Sequence, residues 1–600
     1  MSSRRFGRAW APLVLVALSA LVLGPMLWSR GYALVADMTF VPEQPWKSTW
    51  LGLDGSLPRA VPADAFVSVI GQAVPGDLLQ KAILLGTLVL AGLGMLQLAG
   101  RLPGVGTGPR LGAAVLYLWN PYVYERLAIG HWGLLIGYAA LPWVVAAALD
   151  VRPSAVRRDT GSVLVGPTAR LVLWLALAAA GSPTGGLVAG VVALVVAFDR
   201  RRLRRSLAVI GAVVLVNLPW LVPGMVNGSA PSDGSGVTAF ASRADSPLGV
   251  WGSLLTLGGI WKAAAVPSER GVTLLVVVAF LLVASALVAL ARADRRLEDH
   301  PARRLLVLAL LAVLVAGLPA TGLGERLVTH VVEASSGAGL WRDSQKWLMP
   351  FVLVASWGIA ALLGALDHWL RRHRLPAGAA IGALALLPVV LLPSLAWGLS
   401  GRLSPVDYPD EWRAVRTILD RQPVAGRRTA VLPWSAYQRF RWNDQRAALD
   451  PALRFFPGQV VANDELTLGD HRTVRGQDPA GSSIGQAIAD GRPIGPALAT
   501  AGVRYLLVER TAPSAVEVAL PSGTVLHDGP ELLLLDLGTQ GRSTRSPHPH
   551  LIVTADVLAG STVLVAALLT GFVAIRRRQG PGGGNMAGGS STNGEVADYR

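Results

Sequence analysis

The sequence contains no cysteine. Disulfide cross-links, a thiolate nucleophile and a cysteine metal site are excluded, so any chemistry must rest on carboxylates, histidines or hydroxyls. Also missing are the phosphate-cradling pattern GxxxxGK followed by Ser or Thr and the zinc-binding HExxH. ATP-driven transport is left without support. Charge is scarce as well: 15% of the 600 residues are Asp, Glu, Lys or Arg, whereas 52% are hydrophobic. One soluble core cannot bury that much apolar surface. At about 20 residues per membrane crossing, it suffices for a dozen helices with a small folded domain besides. The fold class expected is therefore mostly α, a polytopic membrane helix bundle of about 12 transmembrane (TM) helices.

The net charge of +16 would suggest a nucleic-acid partner if the basic residues formed one patch. Instead they stand in short clusters between apolar runs, and no nucleic acid is expected. The runs lie near Ala11 to Trp28, Ala82 to Gly100, Leu111 to Tyr124, Gly133 to Leu149, Leu171 to Gly181 and Leu187 to Phe198. Others lie near Ser206 to Val226, Val272 to Ala291, Leu305 to Leu318, Trp347 to Leu370, Gly378 to Leu399 and Leu551 to Ile575. The first is read as a retained anchor, because no small-x-small cleavage site precedes the polar loop after it. With the amino terminus in the cytoplasm, alternate connections carry Arg101 and Arg110, then Arg152, Arg157 and Arg158, then the cluster from Arg200 to Arg205. Later ones carry Arg295, Arg296, Arg303 and Arg304, then Arg371, Arg372 and Arg374, then Arg576 to Arg578. Each satisfies the positive-inside rule. The expected location is the plasma membrane, multi-pass, with both termini cytoplasmic.

This topology divides the chain into a TM core at 1–399, an extracytoplasmic domain at 400–550, a last TM helix at 551–575 and a disordered cytoplasmic tail at 576–600, rich in Gly, Ser and Asn. Long outer loops are expected at 29–80, 227–271 and 325–346. Within 400–550, "YPDEWRAVRTILD" has helical spacing, with Trp412, Val415, Ile418 and Leu419 on one face. "RTAVLPW" and "GVRYLLVER" read as strands, and "GTVLHDGPELLLLDLG" as a hairpin turning at Asp528 and Gly529. A small α/β domain follows, serving either acceptor binding or scaffolding.

Function is sought on the outer side. The loop after the first helix holds Asp37, with Glu43 six positions later; such a carboxylate can take a proton from an attacking hydroxyl, or can be a solvated loop acid. "WNPYVYERLAIGHWGLLIGY" packs Glu125, Arg126, His131 and Trp132 between two helices. Ionisable groups there are costly unless paired or used. His131 could carry a proton or bind phosphate, whereas a Glu125 to Arg126 pair with Trp132 in the aromatic belt is the structural alternative. "GLWRDSQKWLMP" sets Arg342, Asp343 and Lys346 at the outer end of the tenth helix, against the topology signal. A phosphate head group accounts for them, as does pairing with Asp343. "FASRADSPLGVWGSLLTLGGIWK" has the composition of a segment lying along the bilayer.

In their order along the chain, Asp37, "NPYVYERLAIGHWGLLIGYAALPW", "LWRDSQKWLMPF", "YPDEWRAV", "VLPWSAYQRFRWN" and "LATAGVRYLLVE" resemble the GT-C superfamily of membrane glycosyltransferases. The resemblance is closest to arabinofuranosyltransferase-like, polyprenyl-phosphate-sugar-dependent proteins of actinobacterial envelopes. It implies a GT-C-like core with the active site at the outer face, a polyprenyl-phosphate sugar as donor, and an early-loop carboxylate, here Asp37, as base. Glu125 is the second catalytic candidate. Arg126, His131, Arg342, Lys346, Glu43 and Trp132 are candidates for binding donor phosphate or substrate. The acceptor implied is an envelope glycan or glycolipid. No cofactor or metal-ligand set is assigned, and a divalent metal stays open because lone carboxylates fit either a base or a cation ligand. The competing functions are translocation of a lipid-linked sugar and non-catalytic envelope assembly.

Overall fold

The computed structural model describes residues 3–152, 165–227, 234–295, 297, 300–334, 336–423, 426–467, 473–474, 476, 478–513 and 518–578. The tail from 579 onward, Arg157, Arg158 and Arg296 lie outside them. The chain is mostly helical. Among the described residues, eight helices are long and apolar enough to cross a membrane: Trp10–Leu27, Gly76–Ala99, Trp132–Val151, Arg200–Val226, Thr273–Asp294, Pro301–Ala320, Ser344–Arg372 and Pro549–Ile575. A ninth is bent by 71° between Ala377–Leu391 and Pro393–Gly401.

The expected figure of about 12 is lowered by length and by proline. Val165–Gly181 and Pro183–Ala197 have 17 and 15 residues, less than a straight helix needs to span about 30 Å of hydrocarbon. The run from Leu111 to Tyr124 is two helices, Thr107–Leu118 and Pro121–Ala128. Asn120 breaks it: the residue before a proline avoids helical geometry, and its side chain caps the second helix at Val123 N, 3.0 Å away. The stretch 325–346, expected as loop, begins inside the helix Gly322–Glu333.

Small residues let the bundle close. A Cβ on Gly137 would stand 2.6 Å from Gly185 Cα, so Trp132–Val151 meets Pro183–Ala197 backbone to backbone only with glycine at both positions. Trp132–Val151 also packs on Gly76–Ala99 and Val165–Gly181.

The expected α/β region is present. Its strands are β1 (Arg428–Leu432), β2 (Tyr437–Gln438), β3 (Ala448–Leu449), β4 (Gln459–Val461), β5 (Leu466–Thr467), β6 (Thr473–Val474), β7 (Tyr505–Glu509), β8 (Thr524–Asp528) and β9 (Leu532–Asp536). Five form one sheet in the order β4-β1-β7-β9-β8, with β1 parallel to both neighbours and β8-β9 an antiparallel hairpin. β2 pairs with β3 antiparallel, as does β5 with β6. Alternation divides the sheet's residues between two cores. Ala430, Leu506 and Leu535 join Ile484 and Leu498 on one side. Val431, Leu507 and Leu534 join Trp412, Val415 and Leu419 of the helix Asp410–Asp420 on the other. Trp412 stacks on Phe456 at 5.4 Å. Burying each large apolar side chain contributes about 1.5–3 kcal/mol.

The domain docks on the first loop through backbone. Ala36 N donates to Ala447 O at 2.8 Å, and Leu449 N donates to Ala36 O at 2.7 Å. Tyr32 and Val406 exchange a second pair of bonds. These ladders set the position of Asp37.

Candidate active site

Asp37 follows Ala36, which is left-handed at φ 47°, and the bend turns the Asp37 carboxyl away from the ladder. Its N–H donates to Ile129 O at 3.2 Å. That approach requires Gly130: it has φ +76°, and a Cβ there would lie 2.2 Å from Met38 N. The same turn ends the helix Pro121–Ala128 and presents His131 at the start of Trp132–Val151. Two segments 94 residues apart thus meet, with His131 Nε2 3.0 Å from Asp37 Oδ2.

A chain of polar contacts continues inward. His131 Nδ1 is 3.1 Å from Arg126 Nη1. Arg126 binds Asp343 through two bonds, Nη1–Oδ2 at 2.6 Å and Nη2–Oδ1 at 3.0 Å, and its Nη2 also donates to Gln345 Oε1 at 2.5 Å. Gln345 Nε2 in turn donates to Glu125 Oε2. Lys346 Nζ stands 3.8 Å from Asp343 Oδ2. On its other oxygen, Asp37 accepts the Tyr437 hydroxyl of β2.

The guanidinium fixes the tautomer of His131. Arg126 can only donate, so Nδ1 must accept, and the ring hydrogen lies on Nε2, pointing at Asp37. Burial pulls the His131 pKa down, outweighing the nearby Asp37 carboxylate, so the ring is neutral. Burial pushes the Asp37 carboxyl up, but the hydrogen bonds from His131 and Tyr437 and the Lys346 ammonium outweigh it and lower its pKa to about 2. Asp343 is also lowered: the Arg126 and Lys346 charges overcome its burial. The result is an ionised Asp37 whose side chain is 40% exposed, backed by a neutral histidine and a buried ion pair. Such a carboxylate can take a proton.

Sequence-predicted residues therefore divide. Asp37, His131, Arg126, Asp343 and Lys346 come together, and the pairing alternative for Arg126 is realised with Asp343 rather than with Glu125. Glu125 is fully buried. Burial and the neighbouring Asp245 carboxylate raise its pKa well above the ordinary value, so it holds a proton; Asp245 is bound by Arg270 Nη2 at 2.6 Å. Arg342 packs against Gly236 and lies within electrostatic reach of Lys346. Trp132 packs its ring against Phe40, tilted by 52°, with centroids 5.1 Å apart. Glu43 stands apart from the cluster, exposed and 3.4 Å from Arg416.

Sequence reading missed Tyr437, Gln345 and Lys262. Lys262 is half-buried and within electrostatic reach of Asp37, and its ammonium has no hydrogen bond or ion pair among the described residues. Burial lowers its pKa, with the Arg439 and Arg402 charges adding to the effect. Two lysines thus attend the Asp37 carboxylate. Among the described residues, no group of three or more His, Asp or Glu side chains is arranged to hold a metal ion.

No protein-family model matches the sequence, and no curated protein matches it. Solved structures do match. The arabinofuranosyltransferase AftD from Mycobacteria superposes with a TM-score of 0.56 at 19% identity, over 89% of this chain and 40% of that one. The chain shares the fold of that part of AftD. A mutant of AftD gives 0.55 at 17% identity, over 89% and 42% of the two chains. The archaeal oligosaccharyltransferase AglB from Archaeoglobus fulgidus gives 0.45 at 11% identity, over 84% and 70%. The chain spans about two fifths of AftD's length.

Proposed function

We propose that the protein is an integral membrane glycosyltransferase that moves a sugar from a polyprenyl-phosphate donor to a cell-envelope glycan or glycolipid on the outer face of the plasma membrane. In this reading both termini are cytoplasmic, and the Asp37 cluster and the α/β domain are extracytoplasmic; the arginine clusters between helices support that orientation. The observation that carries the reading is the ionised, half-exposed Asp37 carboxylate with Lys346 and Lys262 in its electrostatic field.

In the transfer step, Asp37 accepts the proton of the attacking acceptor hydroxyl as its oxygen bonds to the anomeric carbon. The bond from that carbon to the phosphate oxygen breaks, and polyprenyl phosphate leaves as an anion. Lys346 and Lys262 balance the leaving charge. His131 positions the base: Nε2–H holds one carboxylate oxygen, while Arg126 prevents the ring from turning. The phosphate is a weak base, so no acid is required at its oxygen, and a protonated, enclosed Glu125 is assigned a structural role.

The test is sugar transfer from a polyprenyl-phosphate donor by the purified full chain and by Asp37→Asn. Loss of about 10²–10⁴-fold in turnover is expected for removal of a general base. Unchanged turnover in a correctly folded variant would remove Asp37 from the mechanism. Adding a chelator to the same assay decides whether a divalent metal participates. Translocation of the lipid-linked sugar without a glycosylated product would favour the flippase alternative.

A further inference from the structure

A cavity of about 910 Å³ lies between the segment from Lys47 to Asp64, the end of the helix Leu203–Val226 and one face of the α/β domain. Asp37 does not line it, and nothing in the transfer step uses it. Its volume lies within the range of pockets that enclose a small organic ligand.

The chemistry of its wall is unusual for a lipid or phosphate site. Charges are numerous, and several are paired. Arg59 binds Asp464 at 2.8 Å, and Arg454 binds Asp64 at 3.0 Å. Asp54 accepts from Thr49 Oγ1 at 2.7 Å and Ser56 Oγ at 2.8 Å. An acyl chain would leave these groups desolvated without partners. Asp54, Asp64, Asp464 and Asp478 line the space, so a free anion would meet carboxylates as well as cations. Hydroxyl groups both donate and accept, and so fit a wall of fixed, paired donors and acceptors.

Two buried cations exceed the pairing. Lys47, 7% exposed, gives one hydrogen to Leu453 O at 2.8 Å. Arg428, also 7% exposed, bonds Ala501 O, and its Nε has no partner. Neither has an ion pair among the described residues. Asp54 is within electrostatic reach of both, so their net field is partly cancelled. Burial, with the Arg454 charge adding, lowers the Lys47 pKa to about 7. Unspent donors in a shielded wall call for neutral oxygen acceptors.

The cavity also adjoins the reacting centre. Ala436 and Leu449 form part of its wall. Leu449 pairs across the β2–β3 ladder with Tyr437, whose hydroxyl binds Asp37.

We propose that this cavity binds a neutral oligosaccharide, the portion of the glycan acceptor remote from the hydroxyl that reacts. The assignment as acceptor rests on the glycosyltransferase reading; the assignment as a saccharide site does not.

The experiment is saturation-transfer NMR on the full chain in detergent, with a linear arabinofuranose tetrasaccharide and maltotetraose as probes and inorganic phosphate as competitor. The expected result is saturation of at least one tetrasaccharide and no displacement by phosphate. Binding should be lost in Ala462→Trp, which fills the cavity, and weakened about tenfold in Arg428→Gln. Ser483→Trp, on an exposed helix bordering the same space, replaces Ala462→Trp if the latter does not fold. Absence of binding by both tetrasaccharides, displacement by phosphate, or wild-type binding in the filled variants would overturn the proposal. Asp37→Asn separates the two readings: it should bind saccharide normally while losing transfer. Saccharide binding by a wild-type chain that transfers nothing would sink the enzyme reading and leave the cavity's assignment standing.

Discussion

The Tyr437 hydroxyl donates to Asp37 Oδ1 across 400 positions of sequence, joining the α/β domain to the loop after the first helix. With His131 on the other oxygen, both carboxylate oxygens carry a donor while the side chain stays 40% exposed. Removing the hydroxyl in Tyr437→Phe takes away a bond that favours the ionised form, so the Asp37 pKa should rise from about 2. The protonated, inactive base then persists to higher pH. The acid limb of the kcat/KM profile for transfer should move upward, with turnover at neutral pH reduced by about tenfold through lost positioning. An unchanged profile would show that the domain contributes no positioning through this contact.

Arg126 and Asp343 form a two-bond ion pair that is almost wholly enclosed, with side-chain exposures of 0% and 9%. Truncating Arg126 removes both of its hydrogen bonds to the enclosed Asp343 carboxylate and leaves Lys346, 3.8 Å away, as its remaining ion pair. Arg126→Gln should cost about 3–5 kcal/mol of stability. Arg126→Gln with Asp343→Asn should recover part of it, because the stranded carboxylate is gone. Thermal melts of the two single variants and the double variant measure the coupling; additive losses would contradict it.

Gly130→Ala combines a left-handed backbone with a Cβ lying 2.2 Å from Met38 N. The strain, about 1–3 kcal/mol, is relieved by moving the first loop, and Asp37 moves with it. Transfer should fall far more than the melting temperature does. Equal and proportionate losses would indicate general unfolding instead.

Much of this centre was legible because ionisable residues at helix ends are expensive. Asp37, Arg126, His131, Asp343 and Lys346 each stood out against apolar neighbours, and all five meet. The rest depended on contacts that no local pattern encodes. Tyr437 is an ordinary strand tyrosine until the β2–β3 ladder docks on Ala36. Lys262 sits in a segment whose composition suggested only a bilayer surface. Glu43 shows the converse error: proximity in sequence to Asp37 carried no proximity in space, because the chain between them runs on to Arg416. In the fold, apolar runs located the helices, but length and the breaks at Asn120 and Leu392 decided which could span. Strands β1 and β7 were readable from their apolar runs and the β8–β9 hairpin from Asp528-Gly529, whereas β2 to β6, two or three residues each, carried no such run.

A second carboxyl pair gives the α/β domain a pH dependence of defined sign. Asp450 and Glu509 are both buried, at 0% and 1% exposure, and lie within electrostatic reach of each other, with both Glu509 carboxyl oxygens lacking a hydrogen-bond partner among the described residues. Tyr408 lies in the field of both carboxyls, as well as of Tyr32 and Arg454. Burial raises Asp450 from 3.8 to about 6; burial and the adjoining Asp450 carboxylate raise Glu509 well above 4.5. The folded state therefore binds protons that the unfolded chain releases. The resulting stability is fully present below the ordinary carboxyl values and is lost as pH rises through about 6 and beyond. Glu509→Gln removes one of the two charges while keeping a donor for Asp450. Its melting temperature should match the wild type near pH 5 and exceed it at pH 8 by several degrees, as scanning fluorimetry of the full chain would measure. A wild-type advantage at pH 8 would mean that the pair is ionised and satisfied by partners other than each other.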